Sequence, residues 1–430
     1  MNLLQLSWKN LTFKPLSTLL NVVLFALGAG LISLLLLLDR QLEEKFEKNL
    51  AGINLVIGAK GSPLQLILSG MYHIDAPTGN LPIEECKAFL RPGHPFIEKA
   101  VPLSLGDSYK SYRIVGTDLN FPKLYNASLR EGRLWEKTFE VCVGASAAER
   151  LGLKLGDAFH SSHGFVQDDN LVHTDADKFR VVGIFNPTGA VIDQLIVTPT
   201  QSIWAVHAGH DHSEEEDEAA HEHEGEAVHE HEHAHSEFDL SAPLHEQTDR
   251  AITSILLKFK ARNVQTLNMQ RSINENTNMQ AATPAIEITR LRGLMGMGAE
   301  ALRVLAFVII GVSGLSIFIS LFGSLRERRY ELALMRVMGA SPFRLMVLIL
   351  SEGVITALMG YALGMALSHF GMEIMARFMQ DEYRYTFSGL TFLQEEAWLL
   401  AGALGIGIVA ALIPAVQAAR TDISTTLAEG

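Results

Sequence analysis

The chain has 430 residues, a formal net charge of −13, 48% hydrophobic residues and a positive mean hydropathy of +0.17. Four uninterrupted apolar runs each match the roughly 20 helical residues that cross a bilayer core. They exclude a soluble enzyme, and the length leaves room for one membrane unit and a divided extramembrane domain. The predicted fold class is an integral membrane α-helical protein, with four transmembrane helices and a large α+β extracytoplasmic domain.

Residues 1–15 interleave Leu3, Leu4, Leu6, Trp8, Leu11 and Phe13 with Lys9 and Lys14, which predicts an interfacial helix on the cytoplasmic surface. The first span, 16–38, carries no charge and is longer than a signal-peptide h-region. The extracytoplasmic domain follows over 39–303. Ile53–Leu66 reads as a strand and a Gly-Pro turn, Ile83–Leu90 as a helix, and Val141–Phe159 as strand, short helix and Gly156-Asp157 turn. Lys178–Phe185, Asp193–Pro199 and Ala251–Lys260 read as strands, and Val264–Asn276 as a helix. Cys86 and Cys142 lie where a disulfide is permitted. Spacing does not pair them, and Val141 and Val143 beside Cys142 favour a buried free thiol. Gly58 and Gly61 around Lys60 lack phosphate-loop spacing and read as a turn; with no G-x-x-x-x-G-K-[ST] run, no nucleotide site is expected in this chain.

Residues 207–235 differ in kind. They hold nine histidines (His207, His210, His212, His221, His223, His229, His231, His233, His235) and eleven acidic residues, with no Lys or Arg. With almost nothing apolar to bury, the tract is expected to be disordered by itself. Its imidazoles and carboxylates make it the candidate metal site, for Zn²⁺ or another divalent ion. A solvated acidic spacer is the alternative. The isolated His73, His94, His160, His163, His173 and His369 read as surface or packing residues.

The remaining spans are 304–325, 345–367 and 398–416. Arg326, Arg328, Arg329, Arg336 and Arg344 gather in the 326–344 segment and Arg420 follows the last span, whereas the 368–397 loop is acidic. The positive-inside rule then puts both termini, including the 417–430 tail, and the 326–344 element in the cytoplasm. Gly28, Gly30, Gly311, Gly314, Gly360 and Gly364 are expected at close helix contacts in lipid. Glu352, an ionisable residue in or near the third span, is either a functional residue or a carboxylate near the cytoplasmic end that pairs with Arg344 or faces water. Ser324–Gly353 reads as a basic stop, a short amphipathic helix and a turn at Gly339-Ala340-Ser341-Pro342. Ser341 would cap the next helix and Pro342 would open it.

"RERRYELALMRVMGAS" resembles the cytoplasmic motif of ABC-transporter permeases of the macrolide-exporter, lipoprotein-releasing and FtsX type. "LIPAVQAARTDISTTL" is similar to the end of that family's last span, with Ile423 where Pro is usual. "VVGIFNPTGAVIDQLIVTP" and "GASAAERLGLKLGD" resemble segments of its outer domain.

The resemblance implies a type VII permease subunit of the bacterial inner membrane. It would couple ATP hydrolysis by a partner ATPase dimer to movement of its periplasmic domain, exporting a hydrophobic, peptide or lipoprotein-like substrate. It implies contact with the ATPase through Glu331, Arg336, Gly339, Ala340, Ser341 and Pro342. It also implies a second permease copy or paralogue, and a periplasmic adaptor or substrate-binding partner. ATP and magnesium would sit on the ATPase, and no cofactor on this chain apart from divalent metal on the tract. Membrane lipids are expected neighbours and nucleic acid is not. The outer domain would have a base, 41–105 and 250–295, and an inserted lobe, 106–249. An FtsX-like signalling protein regulating a periplasmic partner is one alternative; a metal-handling protein using its His-rich loop is another.

Overall fold

The computed structural model describes residues 3–163, 178–208, 240, 242–382 and 387–420. The chain divides into two compact units, 44–292 and 1–43 with 293–430.

Helix α1 (Leu3–Phe13) gives way at Lys14 to α2 (Pro15–Leu50). Pro15 opens α2, where a missing N–H leaves no bond unmade. The helix runs well past Leu38, where the apolar run stops. Hydropathy registers only the lipid-solvated stretch, and a helix is free to continue into water as an amphipathic or charged one.

The strands of the 44–292 unit are β1 (Leu55–Ala59), β2 (Leu81–Pro82), β3 (Ile97–Leu103), β4 (Asp107–Tyr109), β5 (Tyr112–Thr117), β6 (Leu129–Gly132) and β7 (Glu140–Val143). They continue with β8 (Ala158–Phe159), β9 (Ser162–His163), β10 (Phe179–Phe185), β11 (Ile196–Pro199), β12 (Ala251–Ile252), β13 (Ser254–Phe259) and β14 (Met279–Ala282). Between them lie α3 (Pro63–Gly70), α4 (Ile83–Leu90), α5 (Asn120–Leu124), α6 (Ala145–Leu151), α7 (Thr200–Ala208) and α8 (Val264–Asn276).

One sheet is antiparallel, in the order β14-β1-β13-β3, and draws its strands from both sides of the 107–199 segment. Its register pairs Leu55 with Leu257 and Ile57 with Ile255. Because strand side chains alternate, these four share a face and pack with Ile83, Cys86 and Ile273 of the helices. The second sheet, β6-β10-β7-β11-β5-β4-β9 with β8 on β10, is mixed: β10 runs parallel to β7 and β11 parallel to β5. Ile114, Val141, Val143, Val181, Ile184 and Ile196 form its core with Ala147 and Ala148 of α6.

The Gly-Pro turn expected within Ile53–Leu66 is confined to 60–62, and α3 begins at Pro63. Ser62 accepts from the Gln65 N–H and Pro63 stands in the first turn, a capping signal that the Gly-Pro reading passed over. Lys60 lies beyond β1 and donates through Nζ to the carbonyls of Asn274 (2.8 Å) and Thr277 (3.2 Å), which satisfies the open end of α8. His73 is fully buried in a left-handed backbone conformation (φ 54°), and burial, then the Arg113 cation, lower its pKa to about 3. Arg113 donates to the carbonyls of His73 (3.2 Å) and Asp75. Cys86 and Cys142 are free and buried, and burial pushes both thiols up to about 12.

The other unit is completed by α9 (Pro284–Glu327), α10 (Arg329–Val337), α11 (Pro342–Glu382) and α12 (Gln394–Ala419). Among the described residues, four helices are long and apolar enough to cross a membrane: α2, α9, α11 over Pro342–Phe378, and α12. Phe25, Ala29, Ile317, Leu321, Ala357 and Ala411 make their shared core. The residues expected to form a loop over 368–382 belong to α11; the true connection to α12 is shorter.

Candidate functional site

The 326–344 element is an elbow built by ordinary helix-end chemistry. Arg328 alone separates α9 from α10 (φ −102°, ψ 14°). Gly339 has φ 95°, a left-handed value that suits glycine, and it ends α10; the N–H groups of Gly339 and Ala340 return to the carbonyls of Arg336 and Met335. Ser341 then accepts from the Arg344 N–H (3.4 Å), and Pro342 opens α11. One face of α10 is buried: Leu332 and Ala333 are inward, and Leu332 packs with Leu325, Leu345, Leu348 and Ile349. The opposite face leaves Tyr330, Leu334 and Val337 exposed with Arg329 and Glu331, and Met338 after it and Phe343 and Arg344 at the start of α11 are exposed as well. A surface this apolar and this well braced is suited to a protein partner.

The six sequence-predicted contact residues fall on two sides of this elbow. Glu331, Gly339, Ser341 and Pro342 are exposed, and Ala340 is half-buried. Arg336 turns inward and donates from Nη1 to the Ala419 carbonyl at 3.2 Å, which ties α10 to the end of α12.

Behind the elbow lies a polar group whose partners the sequence reading misassigned. Glu352 is buried on α11 and does not pair with Arg344. Asn10 of α1 donates to its Oε1 at 2.6 Å, and Arg328 Nη1 lies 3.7 Å from the same oxygen. Arg328 Nη2 also donates to the Asn10 carbonyl (3.3 Å), closing a triangle. Arg328 and Arg344 are equally basic in sequence; only the elbow's turn brings the first to Glu352 and leaves the second exposed.

A second buried group had no sequence signal. His369, expected at the surface or in packing, lies with Nε2 3.2 Å from Glu396 Oε1, and its Nδ1 is 2.6 Å from the Gly389 carbonyl. Ser33 donates to the same Glu396 oxygen at 3.1 Å. These residues come from three separate helices, so no spacing announces them.

Of the span glycines, Gly30 and Gly364 face each other so closely that a Cβ on Gly30 would stand 2.9 Å from the Gly364 carbonyl oxygen. Gly360 lies against Phe25, Gly28 against Ile310 and Gly314 against Ile406. Gly311 has open space around it, and Gly353 and Gly407, which the sequence reading missed, bring α11 and α12 together.

Among the described residues no three metal-ligating side chains converge. Of the tract's histidines, only His207 is among the described residues. It stands at the end of α7 with Nε2 3.6 Å from the buried Asp107 carboxylate. His210, His212, His221, His223, His229, His231, His233 and His235 lie outside the described residues.

A family model described as FtsX-like permease C-terminal matches residues 303–423, and one described as MacB-like periplasmic core domain matches 18–224. The Macrolide export ATP-binding/permease protein MacB of Burkholderia pseudomallei strains 1710b and K96243 is 31% identical over 127 residues, 30% of this chain. The chain spans 19% of the length of these curated relatives. Among solved structures, the periplasmic region of MacB from Actinobacillus actinomycetemcomitans matches 58% of this chain and 98% of its own, at 13% identity and TM-score 0.32. The extracellular domain of the noncanonic ABC-type transporter YknZ from Gram-positive bacteria matches 54% and 100%, at 9% identity and TM-score 0.29.

Proposed function

Since the chain belongs to the FtsX- and MacB-like ABC permeases, we propose that its elbow receives the stroke of a separate ATPase and passes it to the extracytoplasmic unit. The observation that carries this reading is the elbow itself: closed between α10 and α11 by the left-handed Gly339 and the Ser341 cap, packed on one side, and apolar with flanking charge on the other. ATP binding would close two partner ATPases, and α10 would move with them. Helices α9, from Pro284 to Glu327, and α2, from Pro15 to Leu50, are continuous with the chain of the 44–292 unit and would carry the motion outward. That unit would then shift a hydrophobic, peptide or lipoprotein-like substrate, or a periplasmic partner. In this reading the protein sits in the inner membrane with both termini cytoplasmic. It works as a dimer of itself or with a paralogue.

The test is purification of the full chain with its candidate ATPase, with Gly339→Val and Met338→Glu as variants. Valine strains the left-handed turn and glutamate spoils the apolar face. Both are expected to lose ATPase association while the chain stays folded. Undiminished association and transport would overturn the reading.

A divalent-metal role has one structural observation in its favour. His207 Nε2 and the Asp107 carboxylate stand 3.6 Å apart, beyond hydrogen-bond length and near enough for both to reach one ion. His207 and Asp107 suit Zn²⁺ as donors, and the tract would supply further ligands. Deleting 207–235 should lower the zinc bound by the purified chain; an unchanged content rejects the role.

A further inference from the structure

We propose that Glu352 is the clasp of the elbow: through Arg328 and Asn10 it holds α10 and α1 in one of two discrete positions against α11. A carboxylate buried on a membrane helix is tolerated when a cation and hydrogen-bond donors meet it. Here the cation is the single residue of the break between α9 and α10. The donor belongs to α1, which is fastened again one turn earlier by the 2.5 Å contact between the Ser7 and Ser351 hydroxyls. Moving α10 far enough to withdraw Arg328 would leave the Glu352 charge without its cation, so intermediate positions are disfavoured and the elbow switches rather than bends.

A cavity of about 10 Å³, close to the space one water needs, lies beneath α10, lined by Asn10, Arg328, Glu331, Leu332 and Met335 among others. What pushes the elbow rests on the reading above; the clasp does not, because it is internal to this chain.

The experiment uses the full chain in lipid nanodiscs, spin-labelled at Val337→Cys on α10 and Val409→Cys on α12, both exposed. The two native thiols are buried and stay unlabelled. The parent should give one narrow distance. E352Q and R328Q should each lose it, giving a broad or second distance. The E352Q/R328Q double variant, which buries no lone charge, should return toward the parent, a non-additivity that defines a coupled pair.

Narrow parental distances in both single variants, or a double variant that is the sum of the singles, would overturn the clasp. If the single variants fail to fold, a folded double variant supports the pair and an unfolded one rejects it. Adding the ATPase forms a separate arm. Loss of association by the unsubstituted chain would remove the partner reading and leave the clasp result standing.

Discussion

The two units solve the same problem in different solvents. In the 44–292 unit, large apolar residues go inside: Ile57, Ile255 and Leu257 are fully buried, and the sheet register decides which face they share. In the other unit Val308, Val312, Ile319, Val409 and Ile413 stay exposed, while Phe25, Ile317 and Leu321 share the core with alanines, and glycines bring the helix backbones closest. Lipid is as apolar as leucine, so helices there gain little by hiding leucine and more by close backbone approach and paired polar groups. The same hydrophobic residue is therefore structural in one unit and solvent-facing in the other.

The sharpest way to break this contrast is Gly364→Leu. Its side chain would enter backbone of α2, since even a Cβ there stands 2.7 Å from the Ala26 carbonyl oxygen. Overpacking of this kind costs about 3 kcal/mol, and the full chain is expected to lose its monodisperse peak in detergent. Ile57→Ala should destabilise the 44–292 unit by a similar about 3 kcal/mol through lost burial and a cavity. Denaturant unfolding followed by a probe in that unit would read it.

Acid should act on the aqueous unit. His73 titrates near 6.5 when unfolded and near 3 when folded, so between those values the unfolded chain binds more protons. Stability present at neutral pH is then lost as pH falls below 6.5, by about 2 kcal/mol at pH 5. His73→Asn, a residue that tolerates the left-handed backbone, should flatten the thermal midpoint over that range; an unchanged slope would show that His73 is not the source. The smallest effect belongs to Ile319→Ala. At 60% exposure on a lipid-facing helix it should change thermal stability in nanodiscs by less than about 0.5 kcal/mol.

Legibility in the sequence divides along the same line. The helix over Val264–Asn276 was readable from its helical spacing, and the strands near Lys178–Phe185 and Asp193–Pro199 because the turn cluster Asn186–Gly189 stands between two apolar runs. β5 and β14 were not read: Tyr112–Thr117 is buried throughout and Met279–Ala282 is short, so neither alternates. The apolar cores of the spans were plain, but their helical extensions were not, because charge returns where lipid ends. The elbow's turn was readable from Gly339, Ser341 and Pro342, each a residue with a local task. The Glu352–Arg328–Asn10 and His369–Glu396–Ser33 groups were not, since each joins helices hundreds of residues apart.

The seam between α2 and α11 has one more consequence. Interlocked side chains make neighbouring helices slip by whole turns, as teeth on a rack do. Where Gly30 meets Gly364 there are no teeth, only two smooth backbones. A seam of that kind sets the spacing of the two rods, while Phe25 seated on Gly360 and the 2.8 Å contact between the Ser33 and Ser368 hydroxyls pin their lengthwise position.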